Sequence, residues 1–336
     1  MTAGTVGGVD SVGVKRTLAL FVTAAVLFGG TFVATKAGLA YLPPLLFVAL
    51  RFDIGAAVLV SYAVVSMSRD ELTPRTAGDI VGIVATGALV IGFTNVFLFV
   101  GQQYTTSGVA AIVFSLNPIL TPVFAAVLLT DERLSVRAGV GMALGLAGVV
   151  LVANPASGGT VSATGIAILS AGAVTSALGA VVIRRADTTL SSTARTVWGV
   201  PLAAVLSHLL SLGAGQSLSS LSVTPTAVVA LLYVGVFSGA IAYLAYFALI
   251  DTAGATRANL VFYLIPVVSA VGGWLLLGEA ISALTLVGFA VVLSGFLLIG
   301  SETILATVRE QIRDRQRDPD EPTLPTPSER SRDPGD

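Results

Sequence analysis

Long apolar runs separated by short polar breaks dominate this chain. Runs of roughly 20 residues, the length a helix needs to cross a bilayer, fall near 17–39, 45–67, 77–100, 106–129, 136–153, 164–183, 194–213, 225–250, 255–277 and 283–301. The breaks carry turn and charge signals, among them Pro43-Pro44, Ser68-Arg-Asp-Glu71, Thr130-Asp-Glu-Arg133, Asn154-Pro155 and Gly278-Glu279. The first run is too long for the core of a signal peptide, and similar runs follow it, so it reads as a spanning helix. The pattern predicts an all-α integral membrane protein with ten transmembrane helices. Residues 1–16 read as a disordered N-terminal tail. Residues 302–336, rich in charge of both signs and in proline, read as a mostly disordered cytoplasmic tail.

The cations sort by side. With the N-terminus inside, the inner breaks hold Lys15, Arg16, Arg69, Arg75, Arg133, Arg137, Arg184, Arg185, Arg195 and Arg257, and the C-terminal tail holds the other six. The outer breaks, near 40–44, 101–105, 154–163, 214–224 and 278–282, hold none, and only Lys36 and Arg51 lie within spans. Lys and Arg stay on the cytoplasmic side, so both termini are expected there and the protein is expected to be a multi-pass protein of the plasma membrane.

An internal repeat underlies the runs. Val113–Pro118 (Val-Phe-Ser-Leu-Asn-Pro) returns as Val261–Pro266 (Val-Phe-Tyr-Leu-Ile-Pro), an offset of 266 − 118 = 148. At the same offset Gly87 meets Gly235, Phe99 meets Phe247 and Asn95 meets Tyr243. Beyond the prolines the offset is 147, as a one-residue insertion in the fourth helix would produce: Glu132 meets Glu279, Gly141 meets Gly288 and Gly148 meets Gly295. Each copy, 17–153 and 164–301, holds five helices. An odd number makes the second copy enter the membrane upside down, and inverted repeats around a midplane site are a transporter architecture. Pro118 and Pro266 are expected to break the fourth and ninth helices at matching positions.

Composition narrows the chemistry. Only 11% of residues are charged, against about 25% in soluble proteins, and the mean hydropathy is +0.90. A net charge of −1 offers no basic surface for nucleic acid. With no cysteine and one histidine, His208, no metal centre is expected. No phosphate-cradling glycine loop stands out, so neither ATP drive nor a cofactor is expected. The acid–base cluster that an enzyme would need is missing, and the chain is not expected to be one.

The polar residues within the runs are the candidates for a substrate cavity: Lys36, Arg51, Thr94, Asn95, Asn117, Tyr243, Tyr246 and Tyr263. Lys36 either meets an anionic or zwitterionic substrate or snorkels to the headgroups. Arg51 and Asp53 lie about 200° apart on one helix, so at most one faces the cavity; Asp53 pairs with Lys36 in a sensible arrangement. Asn95 and Tyr243 are repeat mates near mid-membrane, with Thr94 beside the one and Tyr246 a turn beyond the other. Asn117 and Tyr263 precede the prolines, where freed carbonyls accept bonds from substrate or from neighbouring helices. His208 reads as a neutral histidine bonded to a neighbour. Gly141, Gly145 and Gly148, echoed by Gly288 and Gly295, predict close helix contact within one chain, with a homodimer as the alternative.

In Phe28-Gly-Gly-Thr-Phe-Val-Ala-Thr-Lys36, Pro43-Pro44, Arg51-Phe52, Thr106-Ser-Gly-Val-Ala-Ala111, Asn117-Pro118, Asp131-Glu132-Arg133 and Gly278-Glu279, the chain resembles the EamA-type family of the drug/metabolite transporter superfamily, over about residues 17–301. The resemblance implies a basket-like bundle with a central cavity lined mainly by helices one, three, four, six, eight and nine, with the fifth and tenth peripheral. It also implies movement of amino acids, other metabolites or drug-like compounds, often outward. The expected function is therefore secondary transport of a small organic solute by alternating access, with the solute and the lipid bilayer as partners. A lipid scramblase, a scaffold or an integral membrane enzyme are the alternatives.

Overall fold

In a computed structural model, residues 11–129, 135–153, 161–253, 258 and 260–298 are described. All secondary structure among them is helical. Six helices are long and apolar enough to cross a membrane: α1 (Lys15–Gly38 of a helix that starts at Ser11), α2 (Pro44–Ser66), α3 (Ala77–Gln102), α4 (Ser107–Leu128), α6 (Ala163–Arg185) and α7 (Ser192–Gly213). The remaining apolar helices are α5 (Val136–Val152), α8 (225–253), α9 (Val261–Leu277) and α10 (Ala283–Leu298). The chain is a multi-pass membrane protein.

Helix starts follow from local chemistry. Thr76, Thr106, Ser135, Ser162, Ser191 and Thr224 each accept a bond from a backbone N–H of the first turn, satisfying a donor the helix leaves orphaned. Gly278, at φ 67°, ends α9 in the left-handed conformation that glycine adopts without strain. Residues 11–16, expected in the disordered tail, are helical: nothing at Lys15 or Arg16 stops a helix, both being good helix formers. The tail 302–336, Glu132 and Arg257 lie outside the described residues.

The halves repeat in three dimensions. α1 packs on α8 and α9, while its mate α6 packs on α3 and α4; α2 with α7 and α4 with α9 pack against their own mates. In the same way Gly148 of α5 meets Gly288 and Val292 of α10, and Gly295 meets Gly141. The glycine faces therefore close within one chain, where small residues let two backbones approach.

Hydrogen bonds also assign the loops to ends. Ser222 N donates to Tyr41 O (3.1 Å) and Ser162 N to Tyr104 O (3.0 Å). Gln216 Oε1 accepts from Leu45 N and Leu46 N (3.0 and 3.1 Å), and Glu279 accepts from Ser107 N (2.9 Å). The cation-free loops thus share one end. At the opposite, arginine-bearing end, Trp198 Nε1 donates to Leu72 O (2.8 Å). There the buried Asp79 carboxylate accepts from Arg75 N, Thr76 N, Thr188 Oγ1, Thr189 N and Leu190 N, tying the start of α3 to the α6–α7 loop.

A large core binds the two halves. Phe47, Phe99, Ile112, Val113, Ile119 and Leu169 are each at most 2% exposed. Outward residues are apolar too, such as Val64 at 78% and Val65 at 85%, as hydrocarbon surroundings require.

Two departures from regular geometry position the site. Residues Ala85–Phe93 of α3 and Tyr233–Ile241 of α8 are π-helical, and 233 − 85 = 148, so the deviation belongs to both copies. The prolines do not behave alike. α4 is interrupted at Ser115–Leu116, ahead of Pro118. Pro266, expected to break its helix, lies inside an unbroken α9, and the irregular turn falls at Leu260 instead. A membrane helix tolerates an internal proline because neighbouring helices satisfy the groups it frees.

Candidate functional site

Arg51 of α2, Asn95 of α3 and Tyr243 of α8 converge inside the bundle. Arg51 Nη1 donates to Asn95 Oδ1 (2.8 Å), and its guanidinium lies over the rings of Phe52 (5.3 Å) and Phe99 (5.5 Å). Tyr243 is close enough to Arg51 for the two to interact electrostatically. Arg51 sits seven residues into α2, about 10 Å below its start.

The backbone explains the convergence. Each π segment ends two residues before a site residue: Phe93 before Asn95, Ile241 before Tyr243. A π turn leaves carbonyls outside the regular i→i−4 ladder, and such segments recur at functional sites. Asn95 Nδ2 donates to one of these carbonyls, Ile91 O (2.8 Å), and Thr94 Oγ1 to another, Leu89 O (2.7 Å). The first bond fixes the Asn95 amide with its oxygen towards Arg51.

Aromatic rings form the adjoining wall. Phe28 of α1 meets Tyr243 edge-on at 5.1 Å and Tyr246 at 6.1 Å, and stacks with Phe262 of α9 at 6.3 Å. On α1 the exposed stripe is Leu18, Val22 and Val26. Phe28 is turned about 200° from Val26, hence away from that stripe and into the bundle.

Several candidates lie elsewhere. Lys36 is not with Arg51 and does not pair with Asp53. Its Nζ donates to Gln102 O (2.9 Å) and Gln103 O (3.4 Å). Those carbonyls close α3, where orphan acceptors and the negative dipole end attract a cation. Asp53, turned away from Arg51, meets His208 Nε2 at 2.9 Å, so the histidine is bonded to a neighbour. Thr94 is buried against α6, within 3.5 Å of Gly172 O, and serves the π turn. Asn117 joins α4 to α6 through Ser176 Oγ (2.6 Å) and accepts from Thr121 Oγ1 (3.3 Å). The Tyr263 ring is packed edge-on against Phe296 of α10 at 4.3 Å; its neighbour Phe262 joins the wall instead. Helix two, through Arg51, contributes more than the resemblance implied. A guanidinium in a spanning helix, with Asp53 about 200° round the same helix, is the signal for it.

At the cation-free end, α4 and α9 are fastened together. Both Glu279 carboxylate oxygens accept from Ser107 N (3.0 and 2.9 Å) and one from Ser107 Oγ (3.2 Å). Ser269 Oγ donates to Ser107 O (2.8 Å). Gly273 makes room, since a Cβ there would overlap Glu279 Oε2. Burial pushes the Glu279 carboxyl above its usual range, against the Ser107 bonds and the nearby Lys36 ammonium. Lys36, Tyr41, Thr226 and Glu279 line a shallow pocket of about 270 Å³ beside this contact. Among the described residues only the first half of α4, 107–114, packs closely on α9; the second half, Asn117–Leu128, packs on α5 and α6.

Two packed helical halves, with polar groups gathered within the bundle, define a multi-pass helical membrane protein. The pattern of the EamA-like transporter family matches twice, over residues 15–154 and 163–301, and the chain belongs to that family. It is similar to the uncharacterized transporter YvbV of Bacillus subtilis (strain 168), 27% identical over 291 residues, 86% of this chain and 92% of that one. An uncharacterized transporter of Archaeoglobus fulgidus is 28% identical over 287 residues, 84% and 96% of the two chains. The chloroplastic WAT1-related protein At3g02690 of Arabidopsis thaliana is 30% identical over 218 residues, 60% of this chain and 50% of that one. A solved structure described only as the crystal structure of a protein matches with TM-score 0.57 and 25% identity, over 84% of this chain and 96% of that one.

Proposed function

We propose that this protein is a secondary transporter that carries a small organic solute out of the cytoplasm by alternating access around Arg51, Asn95 and Tyr243. It crosses the plasma membrane ten times as two inverted copies, 17–153 and 164–301, with both termini inside. The observation that carries this reading is the one-sided junction of α4 and α9. Ser107, Ser269 and Glu279 fasten the two helices at the cation-free end, and among the described residues the second half of α4 packs on α5 and α6 rather than closely on α9. The cation-free loops belong outside, so the chain stands closed to the exterior and accessible from the cytoplasm. Exchanging the roles of the two copies gives the opposite state. Two relatives named as transporters support the same class.

Purified protein in liposomes tests this by counterflow, the uptake of labelled solute against unlabelled solute of the same kind inside. Exchange of at least one member of a panel of amino acids, nucleosides, organic acids and amines is expected, without ATP. Failure across the panel overturns the reading, and accelerated bleaching of labelled lipid by an external reductant would point to a scramblase instead.

A further inference from the structure

We propose that Arg51 is the anion-binding group of the central site and that the transported solute is a small organic anion with a flat, apolar body. This rests on the transporter reading above and names the chemistry of its cargo.

The charge balance of the site carries the inference. A cation within a membrane span is costly unless it is paired or hydrated, and such residues face the bundle interior or a water-filled cavity. Arg51 is half-buried inside α2, and among the described residues no carboxylate pairs with it. The acid that lies nearest in sequence, Asp53, is engaged elsewhere, with His208, and Glu279 is engaged with Ser107. What surrounds the guanidinium is neutral: the Asn95 amide oxygen, the faces of Phe52 and Phe99, and the Tyr243 phenol. Among the described residues the site therefore holds a positive charge with no counter-charge.

The geometry is prepared for one. A guanidinium carries five N–H donors in a planar fork suited to a carboxylate held by two bonds, and among the described residues only Nη1 is engaged with a protein acceptor. Asn95, fixed by its own bond to Ile91 O, restricts the fork to one orientation. Rings are on offer next to it. Tyr243 and Phe262 remain 48% and 41% exposed although each lies against Phe28, and Tyr246 closes edge-on over Phe262 at 5.4 Å. The exposed parts of these rings offer a flat apolar group stacking or edge contact. A cationic solute would meet Arg51 with repulsion, and a neutral one would leave its charge unbalanced.

The test compares three ring probes of the same size at neutral pH: benzoate, benzyl alcohol and benzylamine. Their binding to detergent-purified protein and their counterflow in liposomes are measured on the unaltered chain. Benzoate is expected to bind and exchange at least tenfold better than the other two. Arg51→Gln is expected to lower benzoate affinity at least tenfold, and Arg51→Lys to restore part of it. Asp53→Asn, on the opposite face of α2, is expected to leave it unchanged. Monodispersity and melting temperature identify any variant that fails to fold, and the three-probe comparison on the unaltered chain then decides alone. Equal or better binding of the alcohol or amine overturns the proposal, as does full benzoate affinity in folded Arg51→Gln. If no ring probe exchanges but another solute in the wider panel does, the anion assignment falls and the transporter reading stands.

Discussion

α3 and α8 occupy the same place in the two copies and share the same unusual backbone, a nine-residue π segment at an offset of 148. Their side chains have diverged at the position where that backbone delivers them. α3 presents Asn95, whose amide satisfies a π carbonyl and holds Arg51. α8 presents Tyr243, whose ring joins an aromatic wall and whose phenol interacts electrostatically with the same guanidinium. A duplicated frame thus sets where a side chain goes, and later substitution sets what it does. One copy supplies charge and its orientation; the other supplies surface.

The comparison is broken most severely at Asn95. Asn95→Leu leaves Ile91 O and Arg51 without their amide partner, and counterflow of the exchanged solute is expected to fall more than tenfold while the protein still purifies as a monodisperse species. Counterflow within twofold of the unaltered chain would mean the α3 side of the site is inert. At Tyr243 the expected effect is smaller. Tyr243→Phe keeps the ring and removes the hydroxyl, so counterflow should weaken a few-fold, chiefly through KM, whereas Tyr243→Ala should approach the loss seen at Asn95. Thr94→Val sharpens the contrast from the structural side. It removes the hydroxyl that serves Leu89 O, which Ala242, its mate in α8, never had. A stability loss on the order of 1 kcal/mol is expected, read as a lower melting temperature, with KM unchanged.

The smallest effect concerns the end of the bundle. The Glu279 carboxyl is raised by burial in the fastened state and returns towards its ordinary value once α4 and α9 separate. The fastened state then binds the proton more tightly. Lowering pH from the raised value towards the ordinary carboxylate range therefore shifts the population towards closure at the cation-free end. Distances between spin labels on the 101–106 and 278–282 loops should shorten on acidification, and Glu279→Gln should abolish the shift.

Much of the fold was legible in the sequence because apolar length, turn residues and charge bias are each imposed by the bilayer. The cation-free breaks do share one end, and the 148-residue offset recurs in the π segments. The site was only half legible. Asn95, Arg51, Tyr243 and Tyr246 are gathered as a group, but Lys36, Thr94, Asn117 and Tyr263 are not in it. Regular helical periodicity projects a face from one turn to the next, and a π segment rotates everything beyond it without leaving a mark in composition. Thr94 and Asn95 are adjacent in sequence, yet Asn95 reaches Arg51 while Thr94 belongs to the α6 contact. Partner choice was also hidden. Lys36 has a carbonyl cluster within reach at the end of α3, and nothing in its local sequence announces it.

The chain contains no cysteine, so a single engineered thiol reports on the central claim directly. Tyr243→Cys, in oriented membrane vesicles, is treated with a membrane-impermeant maleimide from either face. In the absence of solute the thiol is expected to react from the cytoplasmic face and to be protected from the other, and added solute should open a fraction of molecules to the exterior. Reaction from both faces at once within a single population, or from neither under any condition, would contradict a site shared by two inverted copies and reached from one side at a time.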